Sequence, residues 1–199
     1  MNYLAHAYLS FNNKHLLLGN MCSDFIKGKK KLDYSLAIQQ GIVLHRAIDE
    51  FTDTHSSTAE AKVFFKPFVG LYAGAFVDVV YDHFLATDKN EFINNEALKN
   101  FTTNTYNILQ ENIYELPEKF QTIFPYMQKQ NWLYNYQFNW GIEKSFEGLV
   151  RRAKYLSSWK EAFSSFQNNY TALQNCYTNF FPEIKYFANQ KIQELLNKK

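Results

Sequence analysis

An all-α, single-domain protein spanning residues 1–199 is predicted by two features: the scarcity of turn formers and the spacing of apolar residues. Seven Gly and four Pro in 199 residues leave few places for tight turns. Apolar residues recur at three- and four-residue intervals rather than alternating, and no run reads as a strand. The expected helices are roughly 2–11, 15–25, 33–54, 57–65, 68–87, 92–115, 126–135, 138–155, 158–180 and 182–197. The first is apolar apart from His6. The charge run KGKKK at 27–31 reads as a loop between the second and third helices. Pro67, Pro117, Pro125 and Pro182 each fall at an expected break, and Pro182 suits the first turn of the last helix, where a missing N–H is harmless.

Composition narrows the function classes. With 46% hydrophobic and 20% charged residues the chain reads as an ordinary soluble globule. A net charge of +2 is too small for a nucleic-acid footprint, so no nucleic-acid partner is expected. No stretch approaches the roughly 18 apolar residues that span a bilayer, so no membrane partner is expected. Cys22 and Cys176 are the only cysteines, which excludes a disulfide framework and favours a reducing compartment. No basic segment leads an apolar run at the N-terminus, so no signal peptide is read there. A cytoplasmic location is expected.

The chemistry is concentrated in four segments: MNYLAH at 1–6, GNMCSDF at 19–25, GIVLHRAIDEFTD at 41–53 and DVVYDHF at 78–84. On a helical wheel Asp49 lies about 40° and Asp53 about 80° from His45, so the three stack along one edge. Val43, Leu44, Ala47, Ile48 and Phe51 form a separate core arc, and Gln39, Arg46 and Glu50 a polar stripe. That edge reads either as the rim of a cleft or as a solvated i,i+4 charge stripe. The segment 75–86 is apolar on nearly every side, the pattern of a buried helix. Yet Asp78 and Asp82 lie one turn apart on it, with His83 about 100° from Asp82. Two buried like charges repel, so a cation between them or a salt bridge to Arg46 or Lys is required. Carboxylate with imidazole suits a divalent ion such as Mn²⁺, less specifically Mg, Zn or Fe.

Other residues are ambiguous by themselves. His6 reads as a core histidine or a ligand, and Asp24 as a helix cap or a ligand. His15 and His55 read as surface residues, and Cys22 as core packing. Gly41 and Gly74, each one turn before His45 and Asp78, cost about 1 kcal/mol relative to Ala, so close approach of a backbone or substrate is expected there. No GxSxG, P-loop, CxxC or HExxH is present.

Taken together, MNYLAH, GN with SDF, G-I-x-x-H-R-x-I-D-x-x-T-D and D-x-x-x-D-H-F-L resemble the motifs of bacterial acyl carrier protein phosphodiesterases, regarded as distant HD-domain metal phosphohydrolases. NWLYNY at 131–136, the Arg151–Arg152 pair and NFFPEI at 179–184 extend the resemblance over the chain. It implies a helical HD-like fold and hydrolysis of the phosphodiester joining 4′-phosphopantetheine to a serine of holo-acyl carrier protein. It implies Mn²⁺ as metal, with His6, Asp24, His45, Asp49, Asp82 and His83 as ligands. Arg46 would hold the non-bridging oxygens and His83 or an Asp-oriented histidine would supply a proton, while Asp53 and Asp78 would orient a histidine or water. Basic residues at Lys27, Lys29, Lys30 and Lys31, or at Arg151, Arg152 and Lys154, would dock the acidic carrier protein. An HD-type hydrolase of a nucleotide or other small phosphodiester, and an inactive helical binding protein, remain alternatives.

Overall fold

The computed structural model describes residues 1–197 and contains no strand among them. Twelve α-helices follow in order: α1 Tyr3–Tyr8, α2 Lys14–Cys22, α3 Leu36–Thr54, α4 Ser56–Val63, α5 Lys66–Val69, α6 Ala73–Thr87, α7 Asn95–Glu111, α8 Glu118–Lys129, α9 Trp132–Asn135, α10 Asn139–Arg152, α11 Lys160–Asn168 and α12 Tyr170–Asn197. Short 3₁₀ turns occupy Ser23–Phe25, Gly28–Asp33, Gly70–Tyr72 and Ile113–Glu115. The all-α expectation holds.

The element ends have local causes. α1 stops short of the expected residue 11 because Phe11 and Asn12 take left-handed conformations, with φ of 47° and 60°. Asn13 then caps α2 by accepting from the Leu16 N–H at 3.1 Å. Ser35 does the same for α3 through Ile38 N–H. His55 ends α3 in extended backbone and caps α4, accepting from the Ser57 N–H at 3.1 Å. It is half-buried rather than a surface residue.

Two expected breaks are absent. Pro125 lies inside α8 and Pro182 inside α12. Interior proline forfeits one backbone bond and costs about 3 kcal/mol or more. Phe120, Phe124 and Met127 on α8, and Tyr177, Phe180, Phe181 and Ile184 on α12, are all buried around those prolines. Their packing holds both helices continuous. The true break falls at Asn169, which ends α11.

α2 and α3 cross at a pair of glycines. A Cβ on Gly41 would stand 2.4 Å from the Leu16 carbonyl oxygen and 2.8 Å from Gly19 Cα; one on Gly19 would stand 2.1 Å from the Ile38 carbonyl oxygen. Only hydrogen at both positions lets the backbones meet. Gly41 thus has the expected close-approach role, whereas a Cβ on Gly74 would meet nothing nearer than the flexible Lys62 side chain at 3.3 Å.

α6 is the central helix, with Phe76, Val77, Val79, Val80, Tyr81, Phe84 and Leu85 all buried. It packs against α1, α4, α10 and α12. With its leading turns, Lys66–Thr87 is long and apolar enough to cross a membrane, which corrects the expectation that no such stretch exists. Most of it is buried within the protein, as in the core helix of a globule.

Candidate metal centre

The α2–α3 crossing brings His45 beside α1. The rings of His6 and His45 stack at 3.9 Å between centroids and 15° between planes. Asp49, one turn after His45, places Oδ1 3.2 Å from His6 Nε2 and Oδ2 3.0 Å from His45 Nε2. Asp24 enters from the 3₁₀ turn after α2, with Oδ1 3.1 Å from His45 Nε2. One ligand-type atom each from His6, His45 and Asp49 lie within 4.8 Å of one another.

Asn20 sets the chemistry of both imidazoles. Its side-chain oxygen is 2.8 Å from His6 Nδ1 and its backbone oxygen 2.7 Å from His45 Nδ1. The Asn20 amide nitrogen donates to the His6 carbonyl and Ser10 Oγ, which fixes the amide orientation. A carbonyl oxygen only accepts, so each Nδ1 carries the proton and each Nε2 turns a lone pair toward carboxylates. Lone pair facing carboxylate at about 3 Å requires a proton or a metal between them. His6 Nε2 is buried without a hydrogen-bond partner, although it lies beside Asp49. An imidazole whose Nδ1–H is tied to a carbonyl and whose Nε2 is free has the form of a metal-ligating histidine. The donor set fits a divalent ion.

Without an ion, one proton does the work. Burial acts to lower the His45 pKa, but bonds to Asp24 and Asp49 raise it to about 9. Burial and the neighbouring His45 charge push His6 down to about 4. Against burial, which would raise it, the His45 hydrogen bond and the neighbouring His6 hold Asp49 far below the carboxylate range. The His45 bond likewise lowers Asp24.

The α6 residues are not brought to this cluster as ligands. Asp78 Oδ1 lies 3.0 Å from the Met1 ammonium, which also stands 3.6 Å from Asp49. Asp82 is wholly buried and accepts from three backbone N–H groups of the first segment, Asn2, Leu4 and Ala5. Burial raises its carboxyl to about 7 against the pull of those bonds and of the ammonium. The expected repulsion between Asp78 and Asp82 is eased by an ammonium at one and by backbone amides at the other. His83 points elsewhere: Nδ1 is 2.7 Å from the Tyr136 carbonyl oxygen and Nε2 2.9 Å from the Tyr170 hydroxyl. Both nitrogens have partners there, and His83 lies outside the group of His6, His45 and Asp49. Asp53 is ion-paired with Lys62 at 2.8 Å on the surface and stays outside the cluster. Arg46 is exposed and donates to the Ile26 carbonyl at 3.3 Å, bracing the segment that follows Asp24.

Sequence reasoning passed over Asn20, although a polar residue within the run Leu16–Met21 must find partners when buried. It named Arg152 only for docking. That side chain is exposed and within electrostatic range of the Tyr3 and Tyr136 hydroxyls, and Tyr3 is in turn within range of Asp24. Burial, then Asp24, push the Tyr3 hydroxyl up to about 12, so it keeps its proton. The Tyr3 ring lies 6.3 Å from that of Trp132.

Comparison with known proteins agrees in extent. The family model described as acyl carrier protein phosphodiesterase matches residues 1–184. A protein of that name from Photorhabdus laumondii is 30% identical over 96% of this chain and 96% of its own length. Those from Yersinia pestis and Pectobacterium atrosepticum are each 28% identical, covering 96% and 98% of this chain and 99% and 100% of their own lengths. No solved structure matches at a significant level.

Proposed function

This chain belongs to the acyl carrier protein phosphodiesterase family, and on that premise we propose that it hydrolyses the phosphodiester joining 4′-phosphopantetheine to the serine of holo-acyl carrier protein. The observation that carries the reading is the pair of stacked histidines whose Nε2 atoms face Asp49 with their Nδ1 protons tied to Asn20. His6, His45, Asp49 and Asp24 would hold a divalent ion, and a mixed imidazole–carboxylate set suits Mn²⁺. Such an ion neutralises the anionic phosphodiester oxygens and lowers the pKa of a bound water toward about 7.

The remaining work belongs to side chains. Arg152, exposed and without an ion pair among the described residues, is the candidate for the non-bridging oxygens, a role that suits a guanidinium fork. Arg46 is a second candidate at the Asp24 edge. Tyr3, protonated at neutral pH, offers a hydrogen bond beside Asp24. Met1, Asp78 and Asp82 form the floor. An HD-type relationship accounts for the shared His/Asp chemistry. The free thiols of Cys22 and Cys176 suit the cytoplasm.

The acidic carrier protein would approach the 3₁₀ turn Gly28–Asp33. Lys27, Lys29 and Lys30 are exposed there and Lys31 half-buried, none in an ion pair among the described residues, and exposed Leu32 adds an apolar contact. Charge reversal at Lys29, Lys30 and Lys31 should weaken carrier-protein affinity and flatten its salt dependence while sparing a small phosphodiester. Unchanged carrier-protein kinetics in the triple reversal would move docking to the Arg151–Lys154 face.

The deciding experiment incubates the protein with holo-carrier protein and Mn²⁺ and reads loss of phosphopantetheine by mass. Release by the wild type, and none after chelation or in His45→Ala, is the expected result. A folded, Mn²⁺-loaded protein that releases nothing overturns the reading. Turnover of nucleotide phosphodiesters in its place would reassign the substrate.

A further inference from the structure

We infer that Asp82 is a positioning residue: from the central helix it caps α1 and thereby fixes His6 at the metal centre, without ligating the ion itself. The inference rests on reading the cluster as a metal site.

α1 has six residues, too few to hold a helix in isolation. Its N-terminal amides need acceptors, because they have no partners within the helix. Asn2 caps Tyr3 with its own side chain at 3.0 Å. The others go to Asp82: Oδ2 accepts from Leu4 at 2.7 Å, and Oδ1 from Ala5 at 3.2 Å and Asn2 at 3.3 Å. Leu4 and Ala5 are wholly buried, so water cannot replace the carboxylate. A carboxylate at the positive end of a helix also opposes its dipole.

His6 follows directly. Its own N–H donates to the Asn2 carbonyl at 3.1 Å, so its height is set by the turn that Asp82 closes. Asn20 fixes the direction of the ring from α2, and the α6 carboxylate fixes where its backbone stands. Asp82 has both oxygens committed and lies outside the group formed by His6, His45 and Asp49.

The test combines Mn²⁺ titration of the metal-free protein with hydrogen exchange across residues 2–8. Asp82→Asn keeps one acceptor oxygen but turns an NH2 toward the remaining amide, so protection of α1 should fall part-way and Mn²⁺ affinity should weaken less than in Asp82→Ala, the two losses moving together. Asp82→Ala should lose protection over α1 and weaken Mn²⁺ by about 10–100-fold, the range for residues that support a ligand. The double variant Asp82→Ala/His6→Ala should bind no more weakly than His6→Ala alone, because both remove the same contribution. Three results would overturn the inference: α1 protection unchanged in Asp82→Ala, additive losses in the double variant, or collapse of Mn²⁺ affinity in Asp82→Asn with α1 still protected. If the wild type binds no Mn²⁺, the metal reading fails, and loss of α1 protection in Asp82→Ala still decides the capping role. Should Asp82→Ala not fold, Asp82→Asn carries both measurements.

Discussion

α3 and α6 carry nearly the same pattern, His45-Asp49-Asp53 on one and Asp78-Asp82-His83 on the other, and the two helices use it differently. On α3 the backbone of α2 approaches through Gly19 and Gly41, which delivers Asn20 to both imidazoles and leaves their Nε2 atoms aimed at Asp49. On α6 the three have partners within the fold: Asp82 the α1 amides, Asp78 the Met1 ammonium, and His83 the Tyr136 carbonyl and Tyr170 hydroxyl. The first set meets His6, whose Nε2 has no hydrogen-bond partner, and with it can bind an ion. The second is engaged by the fold's own donors and acceptors. Helical spacing brings ligand-type residues to one edge, but their remaining hydrogen-bonding capacity decides whether they form a site.

That contrast can be broken most directly at Asp49, which touches both histidines. Asp49→Ala should reduce phosphodiesterase turnover and Mn²⁺ affinity by more than about 100-fold, beyond the loss expected from a supporting residue. Metal titration beside the activity assay checks this, and retention of both would remove α3 from the site. Gly41→Ala comes next. Its Cβ would press into the Leu16 carbonyl at 2.4 Å, so α2 and α3 must separate. A loss of about 1–3 kcal/mol in denaturant unfolding is expected, together with weaker Mn²⁺ binding, because Asn20 would move with α2. Full stability and activity in this variant would end the argument from the glycine crossing.

His83→Ala sharpens the comparison from the other helix. It strands the Tyr136 carbonyl and Tyr170 hydroxyl and should cost about 1–3 kcal/mol of stability, with Mn²⁺ affinity unchanged. A fall in affinity like that of His45→Ala would restore His83 as a ligand. The smallest effect is expected at Asp53, whose exposed pair with Lys62 lies at the rim. Asp53→Asn should shift stability by less than about 1 kcal/mol and leave the metal titration unaltered. A large change in either would place Asp53 in the working site.

The helical class, the buried character of α6 and the edge shared by His45 and Asp49 were legible because each depends on a period of 3.6 residues within one segment. Interior Pro125 and Pro182 were misread as breaks, since their local cost is outweighed by Phe and Tyr contacts made far along the chain. The partners of Asp82 and His83 were not legible for a related reason. A carboxylate's partner can be an ion, a side chain or a row of backbone amides, and the amides of Leu4 and Ala5 are invisible in residue identity. The chain alone thus determined which chemistry was available and on which helices. Packing of α1 on α2 and α6, and of α2 on α3, decided which donors were already spent and which two nitrogens were left facing Asp49, because hydrogen bonds between distant segments exist only once the fold brings them together.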